Sequence, residues 1–269
     1  NILYLQSTAM TELLLLATMT AGAYELVKWA KSDDVFDLLK SAFWIMLSTL
    51  IRYDGWFLFV FTGFLILILG FLRRGYKPWD FSPSANKSTE GLIIFFSTLA
   101  AFGIFLWLLW NQLIFKDVLY FAFGPYSARA QQEQLEQAGN LMTKGNLWLS
   151  IQFYLYALIY NSGAFTAILG LLGATALWID RRILGNVKTT SLVLLSPLFF
   201  NVIALYFGQS ALFIQGLSGN TWFNVRYGAM MLPSIAIFIG FLIDRVKSLR
   251  IILIGLLLFV TFFSFTSFD

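Results

Sequence analysis

Four short segments of charged and aromatic residues interrupt the long apolar stretches of this sequence. They carry the side chains best suited to chemistry, namely Glu12, Arg52, Tyr53, Asp54, Lys116, Asp117, Tyr126, Asn224, Arg226 and Tyr227. The planar guanidinium of arginine suits the paired oxygens of a phosphate, and a carboxylate can orient it, accept a proton or bind a divalent cation. We therefore consider Glu12 and Asp54 as candidate catalytic residues and the other eight as candidate substrate-binding residues.

Each segment also has a simpler structural interpretation. Glu12 would complement the positive end of a helix, and Arg52 with Asp54 would form an interfacial ion pair beside anchoring aromatic rings. The aromatic segment that begins at Lys116 suits sugar stacking and a membrane-surface helix equally well, and Arg226 could hold an ordinary phospholipid. Polar groups at membrane depth are costly, so every one of them is a functional candidate.

The sequence contains no histidine and no cysteine, which narrows the possible chemistry. Disulfides, Cys/His zinc sites, histidine-ligated haem and Ser-His-Asp triads are excluded. We find no Walker-type glycine-rich loop and expect no nucleotide cofactor. Acid–base chemistry then falls to Asp, Glu, Lys or Tyr. A metal site would use oxygen ligands, which suit Mg²⁺ or Mn²⁺, and Glu12 is the candidate ligand.

Composition indicates the elements that must position these residues. Of 269 residues, 59% are hydrophobic and 12% are charged, whereas soluble domains carry about 25% charged residues. Apolar runs near the length of about 20 residues that a membrane span needs cover roughly 9–27, 36–52, 55–72, 91–114, 162–180, 190–208, 226–244 and 250–267. Backbone groups in lipid must be satisfied internally, so these runs predict an all-α bundle of eight transmembrane helices. Gly170 and Gly173 predict close packing between two of them.

The charges between the runs orient the chain. Most of the 18 basic residues fall in alternate connections, which we assign to the cytoplasmic side by the positive-inside rule. The exceptions are Arg52, Lys116, Arg129, Lys144 and Arg226. The polar segments then lie on the outer face, with a loop at about 116–147 whose part from Ser127 to Ala138 favours a helix. We interpret 148–160 as an interfacial or re-entrant helix. The net charge of +4 reflects these loops, and no nucleic-acid partner is expected.

The four segments, in this order, resemble bacterial and archaeal membrane glycosyltransferases of the GT-C superfamily, near the glycosyltransferase family 39 group that includes relatives of protein O-mannosyltransferases. The matching stretches are QSTAMTE (6–12), RYDGW (52–56), KDVLYFAFGPYSARAQQ (116–132) and NVRYGAMMLP (224–233). The resemblance extends over nearly the whole chain. Ala9 and Val118 depart from it, since they stand where we expect proline.

The resemblance implies an active site at the outer surface of a bacterial or archaeal plasma membrane. There, a sugar would pass with inversion from a polyprenyl-phosphate donor to a glycan, lipid or protein acceptor. By this resemblance, Arg52 and Arg226 hold the donor phosphate, and Asp117 and Tyr126 line the sugar or acceptor side. Glu12 matches an acidic position that helps to bind a metal or the substrate.

The same resemblance bears on the organisation of the chain. The first outer loop of the family, with its principal acidic residue, is expected to precede Asn1. We therefore interpret residues 1–269 as a single transmembrane domain and as the C-terminal majority of a longer chain.

Two other functions fit the same sequence. A lipid transporter or flippase predicts polar residues at the membrane midplane and paired repeats, which the apolar middles of the runs do not favour. A non-catalytic subunit of a membrane complex, with other membrane subunits as partners, fits the 18% aromatic content and the missing loop.

Overall fold

The computed structural model describes residues 10–73, 83–218 and 221–266. Within these ranges the chain is helical apart from its connections and one isolated antiparallel bridge between Phe213 and Phe223. The α-helices are α1 (Glu12–Ser32), α2 (Val35–Ile51), α3 (Tyr53–Arg73), α4 (Pro83–Ala100), α5 (Phe102–Phe115), α6 (Tyr120–Phe123), α7 (Ala128–Gln137), α8 (Leu147–Ser162), α9 (Ala164–Ile179), α10 (Gly185–Ser191), α11 (Ser196–Tyr206), α12 (Leu232–Arg245) and α13 (Arg250–Thr266). Three 3₁₀ helices accompany them: Leu192–Leu195, Val225–Met231 (the 225–231 segment below) and Lys247–Leu249. The all-α prediction is confirmed, as is the helix predicted in the outer loop, which is α7.

The first two helices form a tight antiparallel hairpin. Asp33 ends α1 with a left-handed φ of 61°, and the Asp34 side chain starts α2 by accepting a hydrogen bond from the Phe36 amide. Near the other end of the pair, the Ser48 hydroxyl donates to the Thr18 hydroxyl at 2.9 Å. Because the helices are antiparallel, the start of α1 and the end of α2 lie at the same end of the bundle.

Helices α9 and α12 form a second close pair. A Cβ on Gly173 would lie 2.1 Å from the carbonyl oxygen of Phe238, and one on Gly170 would lie 2.9 Å from the side chain of Ile235. Any larger residue at Gly173 would push the two backbones apart. The prediction that these glycines permit close helix packing is confirmed.

Among the described residues, four helical stretches are long and apolar enough to cross a membrane: Tyr53–Leu72, Thr89–Phe115, Gly185–Tyr206 and Val225–Arg245. The bent pair of α8 and α9 is a fifth candidate if it is counted as one span. Helices also occupy the other stretches predicted as spans, but α2 and α13 have 17 residues each, fewer than the roughly 20 that a span needs. The structure therefore supports a helical membrane protein with four or five such helices.

Helix α8 turns sharply away from α9. The two helices meet at 110° around Gly163, whose φ is 78°. Tyr154 and Asn161 on α8 donate to the backbone carbonyls of Tyr227 and Val225 at 3.4 and 2.7 Å. Helix α8 thus lies along the 225–231 segment and does not continue the direction of α9. This geometry fits the interfacial or re-entrant helix that the sequence predicts here.

Candidate functional site

A single non-helical residue, Arg52, joins α2 to α3. Its backbone is extended, with φ −157° and ψ 163°, and its carbonyl accepts a hydrogen bond from the Gly55 amide at 3.0 Å. A Cβ on Gly55 would lie 2.1 Å from the carbonyl oxygen of Ser48, so glycine allows α3 to start this close to α2. The connection places Asp54, in the first turn of α3, beside Arg52. Nε of Arg52 donates to Oδ2 of Asp54 at 3.1 Å.

The two arginines of the predicted site converge on one carboxylate. Oε1 of Glu12 accepts a 3.0 Å hydrogen bond from Nη1 of Arg52 and a 2.9 Å hydrogen bond from Nε of Arg226. Arg52 and Arg226 lie 40 and 214 positions from Glu12 in the sequence. The fold therefore gathers three remote segments around a single oxygen atom.

The ring of Tyr227 lies close to both guanidinium groups. The Cζ atoms of Arg52 and Arg226 lie 5.0 and 5.7 Å from the centre of the Tyr227 ring, within range of cation–π attraction. We call the set Glu12, Arg52, Asp54, Arg226 and Tyr227 the arginine cluster. The ring helps to hold two like charges close together.

The 225–231 segment positions the second arginine. Asn224 precedes it with a left-handed φ of 56°, and the Asn224 side chain donates to the carbonyl of Ala211 at 3.0 Å. A Cβ on Gly228 would lie 2.2 Å from the carbonyl oxygen of Ala157 on α8. The absence of a side chain at Gly228 thus lets the segment that carries Arg226 lie directly against α8.

Charge and exposure are distributed unevenly in the arginine cluster. Two carboxylates face two guanidiniums, so the cluster carries no net charge when all four groups are ionised. The side chains of Glu12 and Asp54 are 3% and 12% exposed, while those of Arg52 and Arg226 are 21% and 41% exposed. The carboxylates are buried and the arginines reach the surface. A ligand approaching from outside therefore meets guanidinium first.

Below the cluster the interior is apolar and tightly packed. Asp54 borders a cavity of about 10 Å³, the size of a single water molecule, whose other lining residues are Leu15, Met19, Leu58, Ser196, Pro197, Phe200 and Met230. Tyr154 of α8 is fully buried, and its hydroxyl donates to the backbone carbonyl of Tyr227. The sequence analysis missed both Tyr154 and Gly228. An aromatic residue in an aromatic-rich helix and one glycine among twenty carry no local signal of such a role.

The remaining predicted residues lie around the cluster or apart from it. Tyr53 and Trp56 pack against Phe121, with ring centres 5.9 and 5.6 Å apart, which ties the outer loop to the Arg52 connection. Asp117 caps its own loop, since its carboxylate accepts a hydrogen bond from the Leu119 amide at 2.9 Å. Tyr126 is 85% exposed.

The same loop begins at Lys116, which ends α5 with a left-handed φ of 58°. The structure thus unites Glu12, Arg52, Asp54, Arg226 and Tyr227, with Asn224 as a support. The binding roles predicted for Lys116, Asp117 and Tyr126 stay predictions.

The predicted Mg²⁺ or Mn²⁺ ion would need several oxygen ligands close together. Across the described ranges, no group of three or more His, Cys, Asp or Glu side chains is arranged to hold a metal ion. The two carboxylates of the cluster pair with guanidiniums, and a cation at Glu12 would have to compete with two of them. In this arrangement the arginines supply the positive charge. We therefore assign no chemical step to a metal, and the divalent cation stays a prediction.

No protein-family model, no curated protein and no solved structure matches this chain. The likeness to GT-C glycosyltransferases accordingly rests on the four sequence segments.

Proposed function

We propose that this protein is a membrane glycosyltransferase of the GT-C type. In this proposal it transfers a sugar from a polyprenyl-phosphate donor to an acceptor at the outer face of the membrane. The observation that carries the proposal is the convergence of Arg52 and Arg226, from segments far apart in the sequence, on the buried carboxylate of Glu12. An isolated lipid-anchoring arginine needs no such partner, whereas a site for a specific phosphate benefits from two arginines held in a fixed relation.

The arginine cluster stands at the boundary of the apolar segments. Arg52 immediately precedes the membrane-capable stretch Tyr53–Leu72, and Arg226 is the second residue of Val225–Arg245. A phosphate at the head of a polyprenyl chain lies at the same depth, where the lipid core meets water. We propose that the eight predicted runs are eight spans. A helix occupies each run, and with alternating directions the cluster and the loop at about 116–147 would lie on one face.

The proposed reaction is an inverting displacement at the anomeric carbon. The acceptor hydroxyl oxygen attacks this carbon from the side opposite the phosphate and forms the new glycosidic bond. The bond between the anomeric carbon and the phosphate oxygen breaks, and its electron pair leaves with the polyprenyl phosphate. Arg52 and Arg226 stabilise the negative charge that develops on the leaving group.

The proton of the acceptor hydroxyl passes to a carboxylate. Within the cluster, Asp54 suits this role better than Glu12, because Asp54 binds one guanidinium and Glu12 binds two. Glu12 then mainly positions the arginines. Lys116, Asp117 and Tyr126 are proposed to contact the sugar or acceptor from the outer loop.

A transfer assay with matched arginine variants tests the proposal. The full chain is reconstituted in liposomes with a radiolabelled polyprenyl-phosphate sugar and a membrane extract as acceptor source. Arg226→Gln should lower transfer roughly 100-fold, the effect of removing one preorganised charge-stabilising group. Arg129→Gln is the control, because Arg129 also lies in an outer segment but pairs with Glu133 within its own helix, and it should leave transfer unchanged.

Equal activity of both variants would contradict the proposal. Movement of labelled lipid across the bilayer without sugar transfer would favour a transporter instead.

A further inference from the structure

Glu12 occupies an unusual position for a residue that neighbours a phosphate site. Its Oε1 atom alone accepts hydrogen bonds from both Arg52 and Arg226, at 3.0 and 2.9 Å, and its side chain is almost fully buried. A negative charge therefore sits at the point where the two guanidiniums converge. Two arginines without Glu12 would bind an anion more strongly than the cluster as built.

The substrate and product of the proposed reaction differ in charge. The lipid-linked donor is a phosphodiester and carries one negative charge. When the bond to the sugar breaks, the phosphate oxygen retains the electron pair, so the polyprenyl phosphate becomes a monoester. Above its second pKa, near 6, such a monoester carries close to two negative charges.

A fixed negative charge beside the phosphate discriminates between these two states. The interaction of Glu12 with the ligand is repulsive in both, but it is about twice as large for a dianion as for a monoanion at the same distance. The attraction of the arginines also doubles for the dianion, and Glu12 offsets part of that attraction for both arginines, as Asp54 does for Arg52. Glu12 thus lowers the affinity for the product more than the affinity for the donor.

We propose that Glu12 is a specificity-determining residue that reduces the preference of the arginine cluster for a dianionic phosphomonoester over a monoanionic phosphodiester. This inference rests on the proposed function and adds a role in turnover to it. The donor phosphate binds because it meets the two guanidiniums, which reach the surface, before the buried carboxylates. The spent lipid phosphate leaves more readily than it would without Glu12, because Glu12 weakens the binding of the dianion more than that of the donor.

Two amphiphiles with the same tail isolate the effect of the extra charge. Dodecyl phosphate is the monoester and methyl dodecyl phosphate is the diester. Their dissociation constants are measured on the purified full chain in detergent at about pH 8.5, where the monoester is a dianion because its second pKa is near 6. The quantity of interest is the ratio of the two constants on one preparation. Partial loss of folded protein cancels in that ratio, and a purely structural role of Glu12 leaves it unchanged.

We expect removal of the Glu12 charge to change the ratio that the wild-type protein gives. Glu12→Gln keeps the size and the accepting oxygen of the side chain but removes its charge. It should shift the ratio about tenfold toward the monoester, as expected for one unit charge acting over a few ångströms near a protein surface. Asp54→Asn should shift it less, because Asp54 contacts only Arg52 in the cluster. Asp37→Asn, at the opposite end of α2, should not shift it.

The outcomes separate the inference from the proposed function. If the wild-type protein and all variants bind neither amphiphile, the lipid-phosphate site itself is wrong, and the inference falls with it. If both ligands bind but Glu12→Gln leaves the ratio unchanged, only the role of Glu12 is refuted. A shift by Asp54→Asn as large as that by Glu12→Gln would also refute it, since the net charge of the cluster would then explain the result.

Discussion

The α1–α2 hairpin has a buried carboxylate with two cationic partners at each of its ends, but the two groups are built differently. At one end Glu12 binds Arg52 and Arg226. At the other end Asp37 binds Lys28 at 2.7 Å and Lys40 at 3.6 Å. The partners of Asp37 lie 9 and 3 positions away, whereas those of Glu12 lie 40 and 214 positions away. The Asp37 group belongs to one hairpin, and the Glu12 group joins the beginning of the chain to its last third.

The two groups also differ in the kind of cation that binds the carboxylate. Asp37 accepts a hydrogen bond from Lys28, and this contact raises the pKa of Lys28 above its ordinary value. The ammonium group of lysine is a compact point charge on a flexible side chain, so it can neutralise Asp37 without a fixed hydrogen-bond geometry. The guanidiniums of Arg52 and Arg226 are planar and flank an aromatic ring, and they keep donors for another ligand. The comparison favours a structural brace at the Asp37 end and agrees with the recognition site proposed at the Glu12 end.

The largest effect is expected from exchanging the two kinds of cation. Arg52→Lys should lower sugar transfer roughly 100-fold, because a single ammonium group cannot reproduce the bonds of one guanidinium to Glu12 and Asp54. Lys28→Arg should leave transfer unchanged, since an arginine can still pair with Asp37. Initial rates in the liposome assay measure both. If the two exchanges had the same effect, the distinction between brace and recognition site would be wrong.

A smaller effect is expected from a substitution that leaves every charged residue in place. Gly228→Ala places a methyl group 2.2 Å from the carbonyl oxygen of Ala157, so the 225–231 segment must move away from α8 and carry Arg226 with it. Transfer should fall roughly tenfold, as expected for displaced binding groups. Gly240→Ala is the control, because a Cβ there meets nothing within 4 Å. Normal transfer by Gly228→Ala would show that Arg226 does not depend on this contact.

The smallest effect is expected from replacing Tyr227, whose ring lies near both arginines. Tyr227→Leu removes the aromatic face that lies near both guanidiniums, whereas Tyr227→Phe keeps it. We expect Tyr227→Leu to weaken donor binding roughly fivefold, in line with the strength of partly exposed cation–π contacts. Tyr227→Phe should weaken it less, because it keeps the ring and loses only the hydroxyl group that hydrogen-bonds Arg52. Titration of the apparent donor affinity distinguishes them. Equal losses in both variants would place the contribution in the hydroxyl group and not in the ring.

The sequence was sufficient to predict which residues meet at the Glu12 end. Run lengths give the approximate ends of the helices, and alternating loop charges assign those ends to two sides, so Glu12, Arg52 and Arg226 could be expected on one side. The sequence also predicted the separate helix before α9 and the close approach at Gly173. These features follow from composition and from local spacing.

Other features depend on side-chain packing between distant segments. Nothing near Glu12 in the sequence indicates that one of its oxygens accepts from two arginines. The contact of Gly228 with Ala157 and the burial of Tyr154 likewise arise only when α8 lies along the 225–231 segment. Lys116 and Tyr126 lie outside the arginine cluster, and the binding roles that the sequence motifs suggest for them stay predictions.

Because the single residue Arg52 connects α2 to α3, the length of this connection should tolerate no change. Each residue of an α-helix advances by about 100° around the axis, since a turn takes 3.6 residues. Inserting or deleting one residue between Arg52 and Asp54 would therefore turn α3, with Asp54, by about 100° relative to Arg52 and separate this ion pair. Surface loops of this chain can accept such length changes, but this connection cannot. Among natural variants of this protein, insertions and deletions at residues 52–55 should therefore be rarer than substitutions.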